Sequence, residues 1–229
     1  MDGTVIINTL NEDTELLKQS VDAYENQVGA DVEIIISTVS GDNNMRLIKS
    51  MGHTVVVTPK SRHPSYSPEG SFMQLNAGIK KITTDWACFM SSNDVALPHK
   101  VAQEIELCLS NDKLVCYSAY TETQRDLTPI RTTILPPYNR ARHQTGNFVS
   151  DASMINTELW TKYAPFPWKK YGNFCYWDMW LRMYEDLGDV FVCNTNPTWL
   201  YRQNGGMHMK PRPEGYWEKK DLMLSTHKL

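Results

Sequence analysis

The stretch from Leu75 to Asp94 reads LNAGIKKITTDWACFMSSND, and the fold turns on it. Ser71 and Gln74, just upstream, have capping-box spacing and predict a helix over SFMQLNAGIKKI. Trp86-Ala87-Cys88-Phe89-Met90 is an apolar run that reads as a buried strand, and it turns polar in Ser91-Ser92-Asn93-Asp94. A helix followed by such a strand is the unit of an α/β sheet, whose ligands lie beyond the carboxyl ends of the strands. Many enzymes hold a metal and a phosphate at that edge. Of these end residues, Asp94 alone carries charge.

The alternation extends to both sides. Val5-Ile6-Ile7 is a short apolar run bounded by Asn8-Thr9, followed by a helix on which Leu17, Val21 and Tyr24 share a face. VEIIIS (Val32 to Ser37) is a second strand, SGDNN opens a helix, and HTVVVT (His53 to Thr58) is a third strand. Beyond Asp94, Pro98 marks a helix start, Val101, Ile105 and Cys108 recur at helical spacing, and Leu114 to Ala119 is a fifth strand. The pattern predicts a mostly parallel sheet flanked by helices, with Thr9, Thr38, Pro59 and Ser91 to Asp94 along its carboxyl edge.

The second half reads differently. Residues 122–146 mix Pro129, Pro136 and Pro137 with Arg125, Arg131, Arg140, Arg142 and His143 and predict a long irregular loop, as does KSRHPSYSPEG from Lys60 to Gly70. A short strand (Phe148 to Ile155), a helical piece near Thr157 to Lys162, a helix over FCYWDMWLRMYEDLG and a strand over DVFVCN follow. The tail, YRQNGGMHMKPRPEGYWEKK, reads as loop and then helix.

Composition narrows the class. With 229 residues the chain fits a single domain, and a net charge of −3 with pI near 6.1 argues against a general nucleic-acid binder. Five cysteines without CxxC spacing, mostly inside apolar runs, read as reduced core thiols. Asn11, Glu12, Asp13 and Glu15 interrupt any signal peptide, and no apolar run approaches the ~20 residues that span a bilayer. The expectation is a soluble, cytoplasmic protein, with peripheral membrane association left open and the oligomeric state unread.

The order of motifs resembles the family 2 glycosyltransferases, which share the GT-A fold, over residues 4 to 208. VIINTLNED looks like the family's opening strand and its Thr-x-Asn, here Thr9-Leu10-Asn11; VEIIIS matches the second strand. LNAGIKKITTDWACFMSSND looks like the run from an Asn-x-Gly helix, here starting at Asn76, to a strand ending in Asp-x-Asp. YWDMWLR resembles Glu-Asp-x-Asp-Leu-Trp-Leu-Arg, and WLYRQNGGMH the closing Tyr-Arg…His segment. The resemblance implies one GT-A domain over 1–229, with a Rossmann-like nucleotide-sugar half (1–121) and an acceptor half with the tail (122–229).

It also implies a chemistry: transfer of a sugar from a nucleotide diphosphate to an acceptor hydroxyl, a glycan by preference, with inversion. A divalent ion, Mn²⁺ or Mg²⁺, offsets the charge that grows on the leaving diphosphate. The family's Asp-x-Asp aligns with Ser91-Ser92-Asn93, so the resemblance places the metal on Asp94, Asn93 and His208, a weaker set than two carboxylates. Asn93 and Asp94 could equally shape a turn or cap a helix. Thr9, Asn11, Glu12, Thr38 and Ser40 stand on the predicted edge as hydrogen-bonding groups for base and ribose. Asn76, Ser92, Asn93 and Arg202, with Gln203, are placed near the donor by resemblance, and Lys60, Arg62 and His63 could reach its phosphates.

The base is the harder assignment. The family's usual base position falls on Tyr176, a poor base, and Asp178 is the nearest carboxylate, two residues on. At ~100° per residue Asp178 points well away from Tyr176, and it stands at i,i+4 from Arg182, with which it could simply pair. Asp151 in VSDAS is the reserve candidate. Trp160, Trp168, Tyr171, Trp177 and Trp180 fit either a sugar-stacking surface with one or two exposed platforms or an aromatic core. Two other classes stay in view: a non-catalytic sugar-nucleotide or glycan-binding module, because acids are absent at Ser91, Asn93 and Tyr176, and a nucleotidyltransferase, against which stands the absence of a Gly-rich phosphate loop near the first strand.

Overall fold

Val5, Ile6 and Ile7 are fully buried, and strand alternation sends them to opposite faces of one sheet. Val5 and Ile7 enter a core with Leu17, Val21, Tyr24 and Ile48; Ile6 enters another with Phe72, Leu75, Trp160 and Trp180. A strand buried on both faces needs a continuous apolar run and helices on each side. The computed structural model describes residues 1–60, 68–203 and 215–227.

The first half runs β1 (Asp2–Asn8), α1 (Thr14–Glu25), β2 (Asp31–Val39), α2 (Met45–Ser50), β3 (Thr54–Thr58), α3 (Pro68–Ile79), β4 (Trp86–Ser91), β5 (Val95–Ala96), α4 (Lys100–Ser110) and β6 (Val115–Thr123). The second runs β7 (Pro129–Thr133), α5 (Arg140–Thr145), β8 (Met154–Asn156), α6 (Thr157–Tyr163), α7 (Trp168–Tyr171), α8 (Cys175–Leu187), β9 (Phe191–Arg202) and α9 (Tyr216–Ser225). Strand order is β3-β2-β1-β4-β8-β6-β9-β5, with β7 on β6. β3, β2, β1 and β4 are mutually parallel, as are β6 and β9; β8 runs antiparallel between β4 and β6. The mostly parallel α/β sheet expected from the sequence is therefore present.

Several local expectations are corrected. Residues 122–146 are no irregular loop: β7 pairs with β6, and α5 follows it. The strand expected over Phe148 to Ile155 shrinks to β8. β9 continues through Pro197 to Arg202, because the ladder with β6 shifts register around Ala119 and accommodates a residue without an N–H. Ser71 does not cap a helix either; α3 begins at Pro68, and Ser71 lies inside it.

The Asn-x-Gly element ties α3 to β1 and to the loop before α7. A Cβ on Gly78 would stand 2.8 Å from Ile6 Cγ2, so only glycine lets α3 lie this close to β1. Two residues before Gly78, Asn76 Oδ1 accepts the Phe166 N–H at 2.8 Å, tying α3 to the loop before α7. Asn76, expected on the donor, has its side-chain oxygen engaged by the Phe166 N–H. Gly78→Ala should lower unfolding free energy by about 1–3 kcal/mol through overpacking, measured by urea titration.

The aromatic cluster is mostly core. Trp160, Tyr171, Trp177 and Trp180 are buried, and Trp168 is half-buried. Trp160 Nε1 donates to Ala87 O at 3.1 Å and Trp177 Nε1 to His143 O at 2.7 Å, which pins these rings inside. The cysteines are unpaired, four buried and Cys193 intermediate. Among the described residues no helix is long and apolar enough to cross a membrane.

Candidate active site

β1 ends in register with its neighbours, Asn8 opposite Ser37 of β2 and Ser91 of β4, so three chains leave the sheet at one level. The backbone there is held from α3: Asn8 Nδ2 donates to Ser71 O at 2.9 Å and Gln74 Nε2 to Thr9 O at 3.0 Å. Asn8 Oδ1 and Thr9 Oγ1 are buried and find no hydrogen-bond partner among the described residues. Such orphaned polar atoms are uncommon and ask for a ligand or water.

Beside them, Asp42 organises the loop after β1. Its Oδ2 accepts the Asn11 N–H at 2.9 Å and Thr38 Oγ1 at 2.8 Å; its Oδ1 accepts the Asn44 N–H at 2.8 Å. Asn11, at φ 49°, accepts the Asn43 N–H on its own Oδ1 at 2.9 Å. The Thr38 hydroxyl and Asn11 side chain therefore already serve the loop, while Ser40 remains exposed at the edge. The sequence reading assigned Asp42 no role. Its signal was an Asp bonding two residues on, just after a strand, which is turn chemistry.

Ser91 to Asp94 make a turn closed by the Asp94 N–H to Ser91 O at 3.1 Å. Ser92 is buried, its N–H on Asn8 O at 3.1 Å and its Oγ 3.4 Å from Glu12 Oε2. Asp94 is 4 % exposed and accepts the Arg202 N–H on Oδ1 at 2.9 Å. Burial is the main force on its carboxyl, and the charges of Asp151 and Glu12 add to it; against the Arg202 amide and guanidinium, the pKa is still pushed up to about 8. Three acids, Asp94, Glu12 and Asp151, thus act on one another at this edge, and Asp94 answers by holding its proton.

Arg202 does not reach outward. It is 1 % exposed: Nε donates to Arg125 O at 2.9 Å, Nη1 to Asn93 O and Nη2 to Gln19 Oε1. It holds the turn from behind, so its expected donor contact becomes a structural one, and Gln203 Nε2 likewise donates to Glu122. Asn93 is half-buried and Lys60 exposed at the same edge. His208, Arg62 and His63 lie outside the described residues.

Tyr176 and Asp178 stand on different sides of α8. Tyr176 packs on Phe72, Phe89 and Phe166, and its hydroxyl pKa is raised well above the usual value, by burial first and then by Asp151. Asp178 looks elsewhere: it is 2 % exposed, with Oδ2 accepting from Arg182 Nε at 2.8 Å and Oδ1 3.3 Å from His227 Nε2. The ~200° between the two positions produces this split. Asp178, expected as base, stands in the structure as an ion-pair partner of Arg182 and His227. Asp151 is exposed in the turn before β8, and its charge bears on Asp94, Tyr120, Tyr176 and Tyr201.

His227 also meets Glu185 at 3.0 Å, and Glu185 meets Arg140 at 2.7 Å, so the C-terminal segment is clamped to α8. Burial alone would lower the His227 pKa, but its bonds to Asp178 and Glu185 outweigh burial and raise it. A raised pKa means stability that is complete below the unfolded value, about 6.5, and lost as pH rises through the folded one. His227→Ala should therefore destabilise by roughly 1–3 kcal/mol at about pH 6 and by less at about pH 9, read from urea midpoints.

Among the described residues no three His, Cys, Asp or Glu side chains meet in metal-holding geometry. That is compatible with an ion of the magnesium type, which keeps several waters and needs one or two carboxylates beside substrate phosphates. Asp94, buried in the turn after β4, is a carboxylate that such an ion could use.

A parallel sheet with an antiparallel strand inserted beside β4, and a carboxylate turn at the end of β4, is the architecture of the GT-A glycosyltransferases, and this chain has that fold. Solved structures similar over nearly its whole length include S. aureus TarS 1–349 with UDP-GlcNAc: TM-score 0.72, 13 % identity, covering 97 % of this chain and 65 % of that one. Longer TarS is matched at 12 % identity and TM-score 0.72, over 97 % of this chain and 39 % of that one. Glucosyl-3-phosphoglycerate synthase from Mycobacterium tuberculosis, with Mn²⁺, UDP and glucosyl-3-phosphoglycerate, is similar at TM-score 0.60 and 14 % identity, over 98 % of this chain and 77 % of that one. The chain thus spans less than two thirds of the TarS structures' own length. No protein-family model matches the sequence, and no curated protein does.

Proposed function

We propose that this chain is a glycosyltransferase that moves a sugar from a nucleotide diphosphate, UDP first among the carriers, to an acceptor hydroxyl, a glycan by preference, with inversion. The observation that carries the reading is Asp94: a buried carboxylate at the end of β4, crowded by Glu12 and Asp151 and pushed up to about 8. A cation bridging to a diphosphate matches that charge. The orphaned Asn8 Oδ1 and Thr9 Oγ1 sit beside it at the same edge, as acceptors for nucleotide N–H and O–H groups.

In this reading Asp94 and Asn93, with Glu12 near them, would hold Mn²⁺ or Mg²⁺, and His208, outside the described residues, is kept as a further ligand by the resemblance alone. When bound, the ion offsets the charge on the departing diphosphate. Ser40, Thr9 and Ser92 face base and ribose. Asp151 takes the proton of the acceptor hydroxyl as the new oxygen–carbon bond forms and the bond to the diphosphate breaks. A single in-line displacement of this kind inverts the anomeric centre.

The test is release of nucleotide diphosphate from UDP-, GDP- and dTDP-sugars with and without Mn²⁺. Metal-dependent release from one carrier supports the reading. One observation favours the second reading, a binding module without turnover: the position of the family's usual base is occupied by Tyr176. Metal-dependent binding without release from any donor would select it.

A further inference from the structure

Beneath the turn that carries Asp151 lies an ion pair shut away from solvent. Lys100 is 1 % exposed and Glu104 0 %. Lys100 Nζ donates to Glu104 Oε1 at 2.7 Å, to Oε2 at 2.8 Å and to the Ala152 carbonyl at 2.9 Å. Glu104 Oε1 also accepts from Ser118 Oγ at 2.6 Å and Thr198 Oγ1 at 2.7 Å. The network joins α4, β6 and β9 to a single backbone carbonyl in the turn.

Stability alone is a poor reason for such a pair, because well-packed apolar isosteres often serve as well or better. An apolar pair, however, cannot hold a carbonyl. The one held here belongs to the residue after Asp151. The turn's own bonds, from Ala152 N–H to Ser150 Oγ at 3.1 Å and from Ser153 Oγ to Ser150 O, are local. Lys100 ties the turn's backbone to a helix and two strands.

We propose that Lys100, held in turn by Glu104, is a positioning residue that sets the Asp151 carboxylate at the strand edge beside Asp94. The proposal rests on reading Asp151 as the base. A displacement of about 1 Å at such a group can slow turnover roughly 100-fold while leaving donor binding alone.

The test compares the native chain with Lys100→Met/Glu104→Gln, which keeps volume and leaves an amide oxygen for Ser118 and Thr198. Hydrogen exchange at residues 150–153 should accelerate about tenfold while β1 stays protected. Mn²⁺-dependent UDP affinity should hold within about twofold, and UDP release from UDP-glucose or UDP-GlcNAc should slow roughly 10- to 100-fold at unchanged KM. Unchanged exchange overturns the proposal, as does native turnover from a loosened turn. Should the double variant not fold, Glu104→Gln alone should still speed exchange at 150–153 by about threefold, and no change there overturns it equally. Asp151→Asn runs alongside. Full turnover from it overturns the base assignment and this proposal together; slow Asp151→Asn with a native-rate double variant overturns the positioning role alone.

Discussion

Asp94→Asn is expected to lose about 100-fold in Mn²⁺-dependent UDP affinity, roughly 2.7 kcal/mol, and yet to make the metal-free protein more stable. The amide keeps Oδ1 as acceptor for the Arg202 N–H, so the turn survives. What changes is charge. The native carboxyl has a folded pKa of about 8 against an ordinary value of 3.8. The folded state therefore holds a proton that the unfolded state has released, and native stability falls as pH rises between those values. The slope is at most ~1.4 kcal/mol per pH unit from this group. Asn has no such slope. Thermal midpoints of the two proteins should diverge from about pH 5 to pH 8 in favour of the variant, then run parallel. Adding Mn²⁺ should raise the native midpoint at neutral pH and leave the variant's alone. If the metal stabilises both equally, Asp94 is not its ligand.

The second large effect separates the two acids that the sequence offered as bases. Asp151→Asn should reduce turnover by roughly 10²- to 10⁴-fold, the range of a lost general base, with UDP and Mn²⁺ binding intact. Asp178→Asn should behave in the opposite sense. Its carboxylate balances Arg182 and the buried His227, so its loss should reduce stability by about 3–5 kcal/mol, with turnover per folded molecule near native. Steady-state rates corrected for folded fraction decide between them. A folded Asp178→Asn with no turnover, beside an active Asp151→Asn, would reverse the assignment.

Why the sequence favoured Asp178 is instructive. The periodicity of α8 already put Asp178 about 200° from Tyr176, and spacing already allowed its pair with Arg182. It could not show His227, which closes the cage from 49 residues away. Arg202 failed similarly. The resemblance put it near the donor, but its carbonyl partners on Asn93 and Arg125 come from distant loops, and they turn the guanidinium inward.

The sheet itself was easier to read. Val5 to Ile7, Ile34 to Ile36 and Trp86 to Met90 are apolar runs ended by polar residues, and a strand buried on both faces admits little else. β7 and α5 were hidden by a proline- and arginine-rich composition that also describes loops; their pairing with β6 and packing on α8 overrode it. The cluster of Trp160, Trp177 and Trp180 carried no mark to separate core from platform. Indole partners inside the fold, Ala87 O and His143 O, made the difference for Trp160 and Trp177.

The most direct test of the central claim is calorimetric titration of UDP into the native chain, with and without Mn²⁺. Binding that appears with the metal and fades without it is the predicted result, since a cation beside Asp94 would displace its proton and offset the charge of the diphosphate. Binding of UDP at equal strength in the presence of chelator would contradict a metal site at Asp94. No binding of UDP, GDP or dTDP under either condition would contradict the nucleotide site itself.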